Sequence, residues 1–296
     1  MQDTKITLTR CSLSLLGIGV CLILLLFSPH AFGQEQASAA TESNADNAWN
    51  SRLKAFYFQD QVISANSQII NLNAPARAED GARVPISIRS RIPQTKQQYI
   101  QNLFLIVDQN PEPLVATFTF TPDSSKADLD LFIRVNAYSP VRVIAQTNDS
   151  KLSMSEQFVK ASGGCSAPAS TDLEQALKHL GVMRFKEDRT ISPASTPNAD
   201  GAIQLMINHP NLSGLQRDPL TTLPIAAHYI KHIEVSFEGE KIFSAETSIA
   251  LSENPSLNFY FQPDKPGTLT AISTDNKGNT FTHSEFIGKR ASLMSH

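Results

Sequence analysis

Through most of this chain, short runs of alternating apolar and polar residues are cut by turn residues about every ten positions, a pattern that predicts an antiparallel β sandwich. Val84-Pro85-Ile86-Ser87-Ile88 alternates, as do Val115-Ala116-Thr117-Phe118-Thr119-Phe120 and Leu129-Asp130-Leu131-Phe132-Ile133-Arg134-Val135. Every second side chain of a strand faces the same side, so each run buries one face and wets the other. Asn110-Pro111-Glu112-Pro113 and Pro122-Asp123-Ser124-Ser125 punctuate these runs. The pattern resumes at Ile203-Gln204-Leu205-Met206-Ile207, then at Ile233, Val235 and Phe237, returning through Lys241-Ile242-Phe243 and through Leu257, Phe259 and Phe261. Residues 268–274 and 279–286 flank Asp275-Asn276-Lys277-Gly278, a hairpin turn. The fold class is therefore all-β: one sandwich over 51–162 and a second, separate one over 202–288, with a tail over 289–296 and no sequence repeat between the halves.

Residues 163–201 read as a linker carrying a short helix. Residues 162–170 are small, polar and rich in Gly and Pro. Thr171 can cap a helix, with Glu174 completing a capping box. Leu173, Ala176, Leu177 and Leu180 form one apolar face, and Gly181 suits the position just past its end. Residues 182–189 read as a strand and 192–201 as a second loose segment.

The N-terminus reads as an export signal over 1–33. Lys5 and Arg10 precede a mostly apolar run of about 15 residues from Leu13 to Phe27, short for a membrane span. Ala31-Phe32-Gly33 places small residues where a signal peptidase reads, predicting cleavage before Gln34 and a periplasmic product with no membrane segment. Residues 34–50 are polar, without apolar period, and read as a disordered leader. Cleavage removes Asp3, Lys5 and Arg10, leaving 23 basic and 27 acidic residues, so the formal charge goes from −3 to −4. A mildly acidic chain without a basic run argues against nucleic acid as a partner.

Cleavage also removes Cys11 and Cys21, leaving Cys165 as the one thiol of the mature chain. In an oxidising compartment it has no internal disulfide partner, so it is free, modified or joined to another molecule. Gly163 and Gly164 precede it and read as a flexible arm that lets the thiol approach a catalytic centre closely. The nearest cation in sequence is Lys160, so nothing adjacent lowers the thiol pKa. This suits a passive carrier better than a redox enzyme, which needs a resolving cysteine. His228 and His232 have a helical metal-pair spacing, yet the alternation that follows indicates a strand, where the two lie about 13 Å apart. His209 and His283 read as surface or packing residues. No pattern calls for a resident metal or cofactor, nor for catalytic residues.

Several blocks resemble a known pair of families. Asp80-Gly81-Ala82-Arg83-Val84-Pro85-Ile86, Asn110-Pro111-Glu112-Pro113-Leu114-Val115-Ala116-Thr117-Phe118 and Gly163-Gly164-Cys165 resemble SoxY, the sulfur-carrying subunit of the periplasmic thiosulfate-oxidising system. Asn208-His209-Pro210, Gly214-Leu215-Gln216-Arg217-Asp218, Ala227-His228-Tyr229-Ile230-Lys231 and Asp275-Asn276-Lys277-Gly278 resemble its partner SoxZ. In order, these blocks span nearly all of residues 52–287 and resemble a SoxY–SoxZ fusion of the kind associated with quinoprotein dehydrogenases. The resemblance implies two immunoglobulin-like sandwiches and makes Cys165 the covalent carrier residue. It implies a non-enzymatic protein that holds a sulfur intermediate for sulfur-oxidation enzymes, c-type cytochromes or a quinoprotein dehydrogenase. A non-covalent adaptor for such partners is the alternative. One departure matters: the two-chain family ends almost at its cysteine, whereas here Ser166-Ala167-Pro168 follows and the chain continues. A loop tethered at both ends enters a channel as two strands, so the thiol is expected at the tip of an exposed loop, serving an open cleft.

Overall fold

The computed structural model describes residues 48–65, 68–169, 173–187, 202–219 and 221–288. The expected signal and most of the expected leader lie outside the described residues, as do Thr171, the segment 192–201 and the tail. Among the described residues, no helix is long and apolar enough to cross a membrane.

The first half contributes β1 (Ile63–Ser64), β2 (Ile70–Asn73), β3 (Val84–Ser90), β4 (Ile100–Val107), β5 (Leu114–Phe120), β6 (Leu129–Ile133), β7 (Ser139–Thr147) and β8 (Leu152–Val159). The second contributes β9 (Met183–Glu187), β10 (Ala202–Ile207), β11 (Ile230–Phe237), β12 (Glu240–Thr247), β13 (Ser256–Tyr260), β14 (Gly267–Asp275) and β15 (Thr280–Ile287). The alternating runs became strands with the faces predicted: in β6, Leu129, Leu131 and Ile133 are buried while Asp130 and Phe132 are half-buried. The 275–278 turn joins β14 to β15, antiparallel from Gly267↔Ile287 to Thr274↔Thr280.

Both halves are sandwiches, but they are not separate. Each sheet runs through the two halves. One has the strand order β1-β8-β7-β4-β5-β12-β11-β14-β15 and the other β2-β3-β6-β13-β10-β9. The first crossing pairs β5 with β12, Phe120 opposite Phe243 and Ala116 opposite Thr247. The second pairs β6 with β13 through Leu129↔Phe259 and Asp130↔Asn258. The cause is apolar. Phe118, Phe243 and Phe259 are at most 1 % exposed at this seam. Phe243 stacks tilted on Phe120 at 5.9 Å and on Phe259 at 5.0 Å between ring centroids. Rings of this size dominate core energetics, and here they join two cores into one.

A second, smaller core lies on the outer face of the larger sheet. Residues 49–58 form a helix, Trp49–Leu53 continuing into Lys54–Phe58. Trp49, Leu53 and Phe58 pack on Ile106, Ile144 and Leu152. The leader expected over 34–50 therefore gives way by Ala48 to helix, with Trp49 buried. Beneath it, Arg142 is held by Asp108 at 2.9 Å and by Glu156, and its guanidinium lies 4.8 Å from the Trp49 ring centroid.

The linker helix forms over Leu173–Lys178, with a Glu174–Lys178 pair at 3.0 Å, but its apolar face is not buried. Leu173, Ala176 and Leu180 are half-buried, and Leu177 is 45 % exposed.

Candidate functional site

Cys165 lies where the two halves meet, and it is buried rather than displayed. Its relative exposure is 0 %, and it is the free cysteine of the described residues. Past β8 the chain docks back onto the first half. The Lys160 amide donates to Ala76 O at 2.9 Å, the Gly163 amide to Asn136 O at 2.8 Å and the Gly164 amide to Val135 O at 3.1 Å. The two glycines expected as a flexible arm serve the docking instead. Gly163 takes a left-handed φ of +73°, which turns the chain inward. Gly164 presses backbone to backbone on Gly81, where a Cβ would overlap the Gly81 carbonyl and lie 2.7 Å from Val135 O. The exposed loop tip predicted from sequence is thus a turn folded into the seam, closed by Ser166 N donating to Gly163 O at 3.2 Å.

The seat is built from both halves. Arg134, just past β6, is 1 % exposed. Its guanidinium donates to Gly164 O at 2.9 Å and to Asn211 O at 3.2 Å, while its Nε–H has no partner. Asn110 holds this loop, donating to Arg134 O at 2.8 Å and accepting from the Asn136 amide at 2.8 Å. From the second half, the Ser213 hydroxyl donates to the Cys165 carbonyl. The Gln216 amide oxygen accepts the Ser213 amide at 2.9 Å, and its buried Nε2 has no partner. Ser252 Oγ donates to Ala82 O at 2.7 Å, tying the halves together beside the Gly81 contact. Burial pushes the Cys165 thiol up to about 11, and the Arg134 charge pulling the other way offsets only part of that. The docked thiol is therefore protonated and poorly nucleophilic.

The histidines are placed differently from what their spacing suggested. His228 does not join His232, whose Nδ1 lies 2.6 Å from Glu246. It meets His209 and Asp275 in a buried cluster whose ligand-type atoms lie within 4.8 Å of one another. His228 Nε2 is 2.8 Å and His209 Nε2 3.7 Å from Asp275 Oδ2, and the two rings sit edge to face at 4.6 Å. His209, read as a surface or packing residue, is 1 % exposed. His209 Nδ1 accepts the Asn211 amide at 3.1 Å, so the neutral ring carries its proton on Nε2, toward Asp275. A metal-ligating histidine needs the opposite, a lone pair at the metal and a proton on the other nitrogen. The cluster fits a hydrogen-bonded clasp. Burial opposes the Asp275 charge, but Asn279, His228 and the Asn279 and Lys277 amides hold its carboxyl at about 2. Burial and the neighbouring His228 lower His209 to about 4. The clasp fixes Asn211, in left-handed conformation at φ 40°, which also donates to Leu251 O and Ser252 O and accepts Arg134. A hydrogen-bonded path runs His209, Asn211, Arg134, Gly164, and so to Cys165, with Asp275 3.7 Å from its His209 end.

Sequence reasoning singled out Cys165 but not the residues that seat it, Arg134, Asn211, Ser213 and Gln216. Arg134 occupies a polar position of an alternating run and reads as solvent-facing; the second half covers it. Gln216 lies in the Gly214–Asp218 block that resembles SoxZ, its one signal in the sequence.

Two family models match the chain in tandem: "Sulfur oxidation protein SoxY" over residues 54–165 and "Sulphur oxidation protein SoxZ" over residues 191–285. The SoxY match ends on Cys165. No curated protein sequence matches. Among solved structures, the sulfur carrier protein SoxY from Chlorobium limicola f thiosulfatophilum is 25 % identical, covering 43 % of this chain and 99 % of that one, with a TM-score of 0.33. A superoxide reductase (neelaredoxin) from Ignicoccus hospitalis is 12 % identical, covering 33 % and 94 %, with a TM-score of 0.30. With the two family matches following one another along it, the chain belongs to the SoxY and SoxZ families as a fusion of one domain of each.

Proposed function

We propose that this chain is an exported, non-catalytic carrier that holds a sulfur-containing intermediate covalently on Cys165 for partner enzymes. The observation that supports this best is the position of Cys165. It closes the SoxY-matching half, and the SoxZ-matching half supplies its seat through Asn211, Ser213 and Gln216. A thiol held at about 11 has little thiolate near neutral pH, so a partner must lift the 161–169 segment before loading or unloading. The seat then has a chemical use: a labile sulfur adduct is kept from water and stray thiols between visits. In this reading the partners are periplasmic sulfur-oxidation enzymes, with c-type cytochromes or a quinoprotein dehydrogenase as the redox side. Compartment and mature N-terminus are tested by fractionation and N-terminal sequencing, which should place the chain in the periplasm starting at Gln34.

The decisive experiment is intact-mass analysis of the protein taken from its native periplasm. A thiol-reversible adduct on Cys165 is expected, with loss of function in Cys165→Ala. A bare thiol under every growth condition, with Cys165→Ala fully functional, would leave a non-covalent adaptor as the reading.

A further inference from the structure

Arg134 and Gln216 present an unusual pair of features. Arg134 is a fully buried cation that forms no salt bridge among the described residues, and its Nε–H is unpartnered. Asp80 and Glu253 act on it only through longer-range attraction. Gln216 is 1 % exposed, its oxygen is satisfied by Ser213, and its Nε2 donor is unpartnered. Both touch groups bonded to the Cys165 backbone: Arg134 through Gly164 O, Gln216 through the Ser213 hydroxyl. A buried charge without a counter-ion and a buried donor without an acceptor each cost free energy, and natural structures rarely keep both at one place unpaired.

We infer that Arg134 and Gln216 form the counter-ion and donor set for an anionic group carried on Cys165, so that the seat prefers a negatively charged adduct over a neutral or positive one. This rests on the carrier reading and adds to it the residues that sort cargo by charge. A neutral thiol leaves the Arg134 charge unbalanced. A sulfonate-ended adduct pairs with the guanidinium and gives the two idle donors oxygen acceptors. Neither residue reacts; both are positioning residues.

The test compares adducts of opposite charge and similar size on the exported chain. With the chain opened in urea and refolded after labelling, methanethiosulfonate reagents bearing an ethylsulfonate or an ethyltrimethylammonium each label the thiol. The Cys165 sulfur attacks the reagent's sulfenyl sulfur, methanesulfinate leaves with the bond pair, and the thiol proton passes to buffer. Tetrathionate provides an inorganic arm: the thiolate displaces thiosulfate and leaves a thiosulfonate on Cys165. Intact mass and peptide mapping confirm single labelling, and melting temperature is read for each form. In the wild type the sulfonate form is expected to melt about 3 °C or more above the ammonium form. Arg134→Gln should erase that gap, Arg134→Lys should keep its sign, and Gln216→Leu should shrink it. Equal melting of the two wild-type forms overturns the inference, and that comparison stands even if Arg134→Gln does not fold. A gap that persists in folded Arg134→Gln also overturns it. Clean labelling without a charge gap refutes the charge selection alone, whereas the carrier reading fails separately if protein from its native periplasm carries only a bare thiol and Cys165→Ala is fully functional.

Discussion

Replacing Gly164 with alanine should release Cys165 from its seat. The added methyl would overlap the Gly81 carbonyl and lie 2.7 Å from Val135 O. Both obstacles are backbone, and Gly81 O is itself fixed by the Val135 amide at 2.8 Å, so neither can swing aside. Docked, the thiol sits at about 11; released, it returns toward its ordinary 9.0. At pH 7.5 that raises the thiolate fraction from about 0.03 % to about 3 %, roughly 100-fold. The less basic thiolate is intrinsically the weaker nucleophile. A Brønsted coefficient of about 0.45 over this shift gives back about 8-fold, leaving about 10-fold from ionisation before steric access is counted. The assay is the pseudo-first-order rate of reaction with Ellman's reagent, followed by absorbance. Gly163→Ala is the matched control, since its Cβ would meet nothing within 4 Å and it carries only the strain of φ +73°, about 1 kcal/mol. Gly164→Ala should react at least about 10-fold faster than wild type, with Gly163→Ala between them. A Gly164→Ala chain with wild-type circular dichroism and a wild-type labelling rate would refute the docked-thiol reasoning.

Three further outcomes follow from the same contacts. The folded-state thiol pKa is raised, so its contribution is full below pH 9 and lost as pH rises through about 11. Urea titrations should show wild type losing up to about 3 kcal/mol relative to Cys165→Ala over that window. His209 is lowered from 6.5 to about 4, so the buried neutral ring favours folding above pH 6.5, and that contribution is lost as pH falls toward 4. Melting curves should show His209→Asn, whose side-chain oxygen can still accept the Asn211 amide, flattening a loss on the order of 3 kcal/mol. Phe243→Ala, at a residue with 0 % exposure on the seam, should cost about 3–5 kcal/mol. Calorimetry should show one shifted transition; two separated transitions would mean the halves fold independently.

Much of the fold was legible because most strands bury one face. β6 and β14 alternate cleanly, and the 275–278 turn marks its own hairpin. β7 gave no such signal: eight of its nine residues are buried, since the sandwich core covers one face and the Trp49 helix the other. The joining of the sheets was equally hidden. Alternation says which side chains turn inward, not which strand lies alongside, so nothing in β5 or β12 names the other as neighbour. At the site, Cys165 stood out by scarcity and by its glycines. The glycines misled, because the same residue type serves a loose arm and a tight backbone contact. Arg134 and Asn211 were illegible because their partners lie far along the chain: Arg134 reaches Asn211 across the seam, and Asn211 reaches Ile230, Leu251 and Ser252.

The two sheet crossings also bear on what either half would do alone. Cutting the chain in the linker would bare β5 and β6 on one fragment and β12 and β13 on the other, each with a row of unsatisfied amide and carbonyl groups. Such borders are templates for adding strands from any molecule that offers one. Isolated fragments would therefore tend to stack on their own kind, and mixing them would set self-pairing against correct pairing. Joining the halves in one polypeptide gives each border its proper neighbour at high local concentration from synthesis onward. Fusion in this chain thus also guards against misassembly.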